Sequence, residues 1–412
     1  MPESGKQAQH TVSRLKVSAR GAVAPFEVMD IVDRVSTLRA QGIDVISLCV
    51  GEPGGGAPAA VNAAAAKLHA EGADFGYTPT RGLPETRAAL AEHYARQYSV
   101  QLPAENIVMT TGSSGAFQLA FLAAFDPGDV VALARPGYPA YANILSALGL
   151  QVVDLATGEE QRFQPTVASL EAALAEHSRL DGLVIASPAN PTGTMLSGAE
   201  LAELAHWCQR HGVRLISDEI YHGIEFDPQR PAHTAWEYSR ESLVVSSFSK
   251  FWGMTGWRLG WMLVPDDLIC AVDALASNLA LCAPAPAQRA VLHAFSPASM
   301  AEARERVTEF AASRELVMQN LARLGFDSAA PADGAFYLYG RLAPRVLERF
   351  ASASAYCRAV LDEARVALTP GNDFDPATGD RYVRLSFAAG PTAIAQAIER
   401  IDGFLTRHGL AG

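Results

Sequence analysis

From Ile107 onward the chain alternates short apolar runs with longer stretches whose apolar residues recur at helical spacing. That alternation is the signature of parallel strands joined by helices. It predicts strands over residues 106–110, 130–134, 151–155, 182–186, 213–217 and 243–246, with helices such as 116–125 and 198–211 between them. The pattern changes near residue 300. Residues 300–325 read as one long helix ended by Gly325. Short strands follow within 334–342, 366–371 and 382–388, then a final helix over 391–408. The expectation is therefore an α/β layered sheet covered on both faces, followed by a smaller α+β domain. Residues 1–25 are polar and read as an arm, and the alanine-rich 57–70 as an ordinary helix.

Composition adds bounds. At 412 residues, 49% hydrophobic and 19% charged, the chain can bury one large and one smaller core. A net charge of -11 argues against nucleic acid as a partner. Cys49, Cys208, Cys270, Cys282 and Cys357 are scattered and never spaced as CxxC, so they read as packing residues in a reducing compartment. His206, Cys208 and His211 do not share one helix face, and no metal site is expected. The first residues lack the apolar core of a signal peptide, and no apolar run reaches the ~18 residues of a membrane span. The expected location is cytoplasmic, with no membrane partner.

Ligands of open parallel sheets bind beyond the carboxyl ends of the strands, and four conspicuous segments fall there: TTGSSGA (110–116), SPANPTG (187–193), SDEIY (217–221) and SSFSK (246–250). In the first, Gly112, Ser113 and Ser114 would present backbone N–H groups and hydroxyls at a helix start, which suits a phosphate, although a serine-capped turn has the same look. In the last, Lys250 closes an apolar strand. A lysine there is costly unless paired or covalently used; a snorkelling surface lysine is the plainer alternative.

Taken in order, SPANPTG, SDEIY, SFSK and GMTGWR closely resemble the fold-type I pyridoxal-5'-phosphate (PLP) enzymes of the aspartate aminotransferase family, the class I/II aminotransferases. The likeness runs from Gly51 in GEP to Arg384 in YVRLSFA. It implies a mainly parallel seven-stranded sheet with helices on both faces plus a smaller α+β domain. The divisions expected are 1–50 as arm and part of the small domain, 51–300 as the large PLP-binding domain, and 301–412 as the small domain.

The resemblance also implies roles. Lys250 matches the Schiff-base lysine, which moves a proton between the substrate α-carbon and the cofactor C4' carbon. Asp218 matches the carboxylate that pairs with the pyridine nitrogen and keeps it protonated. Tyr221 and Asn190 match groups bonded to the ring's phenolic oxygen, and Tyr138 the aromatic stacked on the ring. Arg258, Ser247 and the Gly112–Ser113–Ser114 loop match the phosphate site. Ser249 is left out because strand alternation would point it elsewhere. Tyr77 matches a tyrosine that reaches the neighbouring subunit's phosphate, so a homodimer is expected. Arg384 matches the arginine that takes the substrate α-carboxylate, helped by Asn190 and the backbone of Gly51.

The implied activity is transfer of an amino group from an L-amino acid to a 2-oxo acid. Aspartate-specific relatives supply a cation for the distal carboxylate, whereas here the two regions that would carry it read SNLALCAPAPAQ and Ser114. A neutral donor such as alanine or valine is therefore expected, with pyruvate or 2-oxoglutarate as acceptor. Aspartate transamination and a β-lyase of the same fold are the alternatives. A regulator's effector domain would need an N-terminal DNA-binding segment, and this chain reaches the family core by residue 51. A silent binding module is disfavoured by the presence of Lys250, Asp218, Arg258 and Arg384 together. His222 and Glu219, beside these residues, read as structural.

Overall fold

The computed structural model describes residues 15–24 and 26–410; residues 1–14 of the expected arm lie outside them. A short strand β1 (Ile46–Ser47) precedes the strands of the large sheet. These are β2 (Ile107–Thr110), β3 (Val130–Arg135), β4 (Gln151–Ala156), β5 (Gly182–Ala186), β6 (Arg214–Asp218), β7 (Leu243–Ser247) and β8 (Gly260–Leu263). The C-terminal part adds β9 (Phe326–Ala329), β10 (Tyr337–Leu342), β11 (Val366–Ala367), β12 (Thr369–Pro370) and β13 (Tyr382–Ser386).

The large sheet has seven strands in the order β2-β8-β7-β6-β5-β3-β4. All pairings are parallel except those of β8, which runs antiparallel to β2 and β7. β7 and β8 are joined without a crossover helix, and only an antiparallel pair can be joined so directly. That connection carries Lys250.

Period-2 alternation explains why both faces are covered. Along β5 and β6, Leu183, Ile185 and Leu215 enter one apolar core, while Val184 and Ile216 enter a second on the other face. The helix Gly198–His211 contributes Leu204 and Trp207 to the first, and the helix Gly112–Ala124 contributes Phe117 and Phe121 to the second. Central strands are buried on both sides and read as continuous apolar runs; β4, at the edge, buries Val153 and Leu155 and exposes alternate positions.

In the C-terminal part β12, β13, β10 and β9 form an antiparallel sheet. β1 pairs in parallel with β11, Ile46 opposite Val366, so the N-terminal segment docks on the C-terminal one.

Several boundaries differ from expectation. The helix expected at 116–125 begins at Gly112, which puts Ser113 and Ser114 in its first turn. The long helix spans Pro297–Gln319, and a separate 3-10 turn leads to Gly325, whose φ of +81° favours glycine. β7 ends at Ser247, so Lys250 lies in the turn beyond the strand rather than closing it.

Candidate active site

Beyond the carboxyl ends of β5 and β6 lies a cavity of about 500 Å³. Gly51, Ser113, Ser114, Tyr138, Asn190, Asp218, Tyr221, Lys250, Arg258 and Arg384 all line it. Segments distant in sequence are thus gathered because most end or follow a strand of the large sheet, while Gly51 follows β1 and Arg384 sits in β13 of the smaller sheet.

Lys250 is partly buried and donates from Nζ to the carbonyl of Gly51 at 2.8 Å. Burial pulls its pKa down to about 8; Arg384 and Arg258 push the same way, while Glu52 and Asp218 oppose. An amine so placed has a much larger neutral fraction near neutral pH than an ordinary lysine, and the neutral form is what attack on an aldehyde requires. Gly51 must be glycine here, since a Cβ would stand 1.6 Å from Tyr337 Oη.

Asp218 is the last residue of β6 and is 3% exposed. It accepts hydrogen bonds from Tyr141 Oη and from the backbone N–H of Ile220, the latter at 3.1 Å. Burial raises its pKa to about 6, and Tyr141, Ile220 and Lys250 restrain the rise. Tyr221, in the following turn, is buried, and its hydroxyl lies 2.9 Å from Tyr337 Oη. Tyr138 precedes the helix Pro139–Leu148 and meets Tyr141 edge to face, ring centroids 5.4 Å apart.

Arg384 is buried. It donates to Asn190 Oδ1 at 2.9 Å, to Thr369 Oγ1 at 3.3 Å and to the carbonyl of Cys49. The rings of Tyr337 and Phe374 each lie 4.7 Å from its guanidinium carbon. Its Nε is buried without a partner. An orphaned donor of this kind costs about 1–3 kcal/mol and marks a place for an acceptor.

At the other end, Ser113 and Ser114 line the cavity and Gly112 stands behind them with φ +72°. A Cβ on Gly112 would come within 2.4 Å of Arg258 Nη2, so glycine gives that guanidinium its room. Arg258 donates to the carbonyl of Thr255 at 2.7 Å. Ser247 is not among the residues lining the cavity; it is buried and its Oγ accepts from the N–H of Ser249 at 3.3 Å. Ser249 lines the cavity instead. β7 ends at Ser247, so at Ser249 the backbone is already turning and strand alternation no longer holds. Tyr77 is 85% exposed and lies outside this cavity.

Tyr141, Tyr337, Thr369 and Phe374 were not anticipated. Tyr141 had a signal, since it lies in the same RPGYPAY segment as Tyr138. Tyr337 and Thr369 had none, because their placement depends on strand register opposite Ser386 and Arg384. Glu219 and His222 lie outside the cavity. Glu219 accepts from Ala235 N–H at 2.8 Å, and His222 bridges Tyr98 Oη at 2.8 Å and the carbonyl of Ser187 at 3.0 Å.

The aminotransferase class I and II family profile matches residues 43–401. A valine–pyruvate aminotransferase of Mycobacterium tuberculosis is 45% identical over 95% of this chain and 98% of its own length. An aspartate/prephenate aminotransferase of Thermus thermophilus is 32% identical over 94% and 97%. The crystal structure of an aminotransferase from Mycobacterium tuberculosis superposes with a TM-score of 0.90 at 45% identity, covering 95% of this chain and 99% of that one. The chain belongs to the class I and II aminotransferases, enzymes of fold type I that depend on pyridoxal phosphate.

Proposed function

We propose that this aminotransferase takes the α-amino group from a neutral, alanine- or valine-like L-amino acid and passes it to a 2-oxo acid such as pyruvate or 2-oxoglutarate. One observation carries the choice of donor. The cations lining the cavity are Lys250, Arg258 and Arg384, each with a use already, and the nearby wall from the helix Glu27–Ala40 offers Val28, Met29 and Val32. A second carboxylate on the donor would be desolvated against apolar groups with no cation to meet it. The 45% identical relative named for valine and pyruvate supports the same reading.

The residues fit PLP. A phosphate suits the N–H groups and hydroxyls of Ser113 and Ser114, set behind by Gly112 and gripped by Arg258, with Ser247, and Ser249 which lines the cavity, as further hydroxyl donors. Asp218 would hold the pyridine nitrogen protonated, which is also what a buried carboxylate with a raised pKa needs as a partner. Asn190 and Tyr221 would bond the phenolic oxygen, and Tyr138 would cover the ring. When bound, the cofactor supplies a carbonyl for the amine and a ring that accepts electron density from the substrate α-carbon.

Lys250 would anchor it covalently and then carry the proton between that α-carbon and the cofactor's C4'. The orphaned Nε of Arg384 would find its acceptor in the α-carboxylate, alongside Asn190 and Gly51. We further propose that Tyr77 reaches the phosphate of a second copy in a homodimer. Residues 51–300 would form the large domain, with 1–50 and 301–412 the smaller one that closes over substrate. The unbridged cysteines support a cytoplasmic location; among the described residues no helix is long and apolar enough to cross a membrane.

The test is a panel of amino donors in single-turnover assays with PLP-loaded enzyme. Valine or alanine should react fastest, and aspartate reacting far faster than either would overturn the donor assignment.

A further inference from the structure

Tyr337 opens β10, opposite Ser386 of β13, and is buried. Three contacts fix where its ring can lie. Arg384 packs on one face at 4.7 Å, Gly51 leaves no room beyond the hydroxyl, and Tyr221 meets it edge to face at 5.6 Å and 82°. The hydroxyls of Tyr337 and Tyr221 are 2.9 Å apart. A phenylalanine would fill the same space without burying a hydroxyl, so the polar atom asks for a use.

Each phenol has one proton to give and an oxygen that also accepts. Tyr221, Tyr337, Lys250 and Asp218 all line the cavity, and Tyr221 is the phenol assigned to the cofactor's phenolic oxygen. Once Tyr221 gives its proton to that oxygen, its own oxygen is open to a donor, and Tyr337 Oη is within reach.

We propose that Tyr337 is a positioning residue for transamination: by donating to Tyr221 Oη it fixes the Tyr221 rotor, aims the Tyr221 proton at the cofactor's phenolic oxygen, and strengthens that bond through a two-member chain. The inference rests on the assignment of Tyr221 made above. Burial pushes both phenols above their ordinary range, so both stay protonated, and able to donate, throughout the working pH range.

The experiment is Tyr337→Phe, which keeps the ring, compared with wild type as PLP-loaded enzyme. The readout is the pKa of the cofactor's visible absorption band. Loss of the donor weakens stabilisation of the deprotonated form, so the band pKa should rise by about half a unit. kcat should fall by about threefold, with a smaller change in the KM of the donor amino acid. In a Tyr221→Phe background the same change should move the band no further. Replacing Tyr337 by 3-fluorotyrosine, a stronger donor in the same place, should shift the band pKa downward. An unshifted band in Tyr337→Phe, or an equal shift with and without Tyr221, overturns the inference alone. Wild-type protein that forms no band with PLP and no borohydride-fixed adduct on Lys250 overturns the Tyr221 assignment and this inference with it.

Discussion

Tyr141 donates its phenolic hydrogen bond to Asp218, and both side chains are buried beneath the cavity. The bond holds down a carboxyl that burial has raised to about 6. Tyr141→Phe removes the restraint, so the Asp218 pKa moves further up. The acid limb of the kcat against pH profile should shift to higher pH, with kcat reduced about tenfold at neutral pH for the loss of one charge-assisted bond. A profile that superposes on wild type would show that the contact is inert.

Lys250→Ala should abolish the borohydride-fixed PLP adduct, read by mass spectrometry. Loss of the amine proposed to move the proton should lower kcat by about 10²–10⁴ or more. A surviving adduct on another lysine would relocate the site.

Arg384→Lys keeps the charge and loses the fork that bonds Asn190, Thr369 and the Cys49 carbonyl. The KM for the amino donor should rise about 10–100-fold, the loss of about one charged hydrogen bond. The cofactor band of the resting enzyme should remain. Equal loss of band and turnover would mean that Arg384 holds up the pocket rather than the substrate.

Asp373 caps a helix from far away in sequence. Its two carboxylate oxygens accept from the N–H groups of Glu27 at 2.7 Å and Val28 at 2.9 Å, at the start of the helix whose Val28, Met29 and Val32 line the cavity. Asp373→Ala should cost about 1 kcal/mol of stability and raise the KM of aliphatic donors more than it lowers kcat. Thermal melts and donor kinetics on the one variant check both.

His222 is held neutral by burial, its pKa lowered to about 3. Because the folded value lies below that of the unfolded chain, its contribution is present above about pH 6.5 and is lost as pH falls through about 3. His222→Gln should therefore lose less thermal stability than wild type between pH 7 and pH 4. The melting temperatures of the two proteins across that range provide the measurement.

The order of strands and helices in the large sheet was legible because local pattern encodes it. The continuous apolar run of β5 and the capping serine before Gly198–His211, whose side chain accepts from Glu200 N–H, are short-range signals. Segments at strand ends, such as those carrying Asp218 and Asn190, could be picked out for the same reason, and the structure gathers both residues around the cavity. That Ser249 lines the cavity depends on the turn beyond β7, where strand alternation has ended, and the antiparallel course of β8 depends on a connection whose direction local pattern does not reveal.

What the sequence determined by itself was therefore the α/β class, the family, and the residues carried on strand ends, all properties of short stretches of chain. Only the tertiary structure decided that Tyr141 lies under Asp218, that Tyr337 stands between Arg384 and Tyr221, and that Asp373 caps a helix starting at Glu27. These pairs are joined across sheet register and domain packing, so their contacts arise from burial and geometry between distant segments, which no local periodicity records.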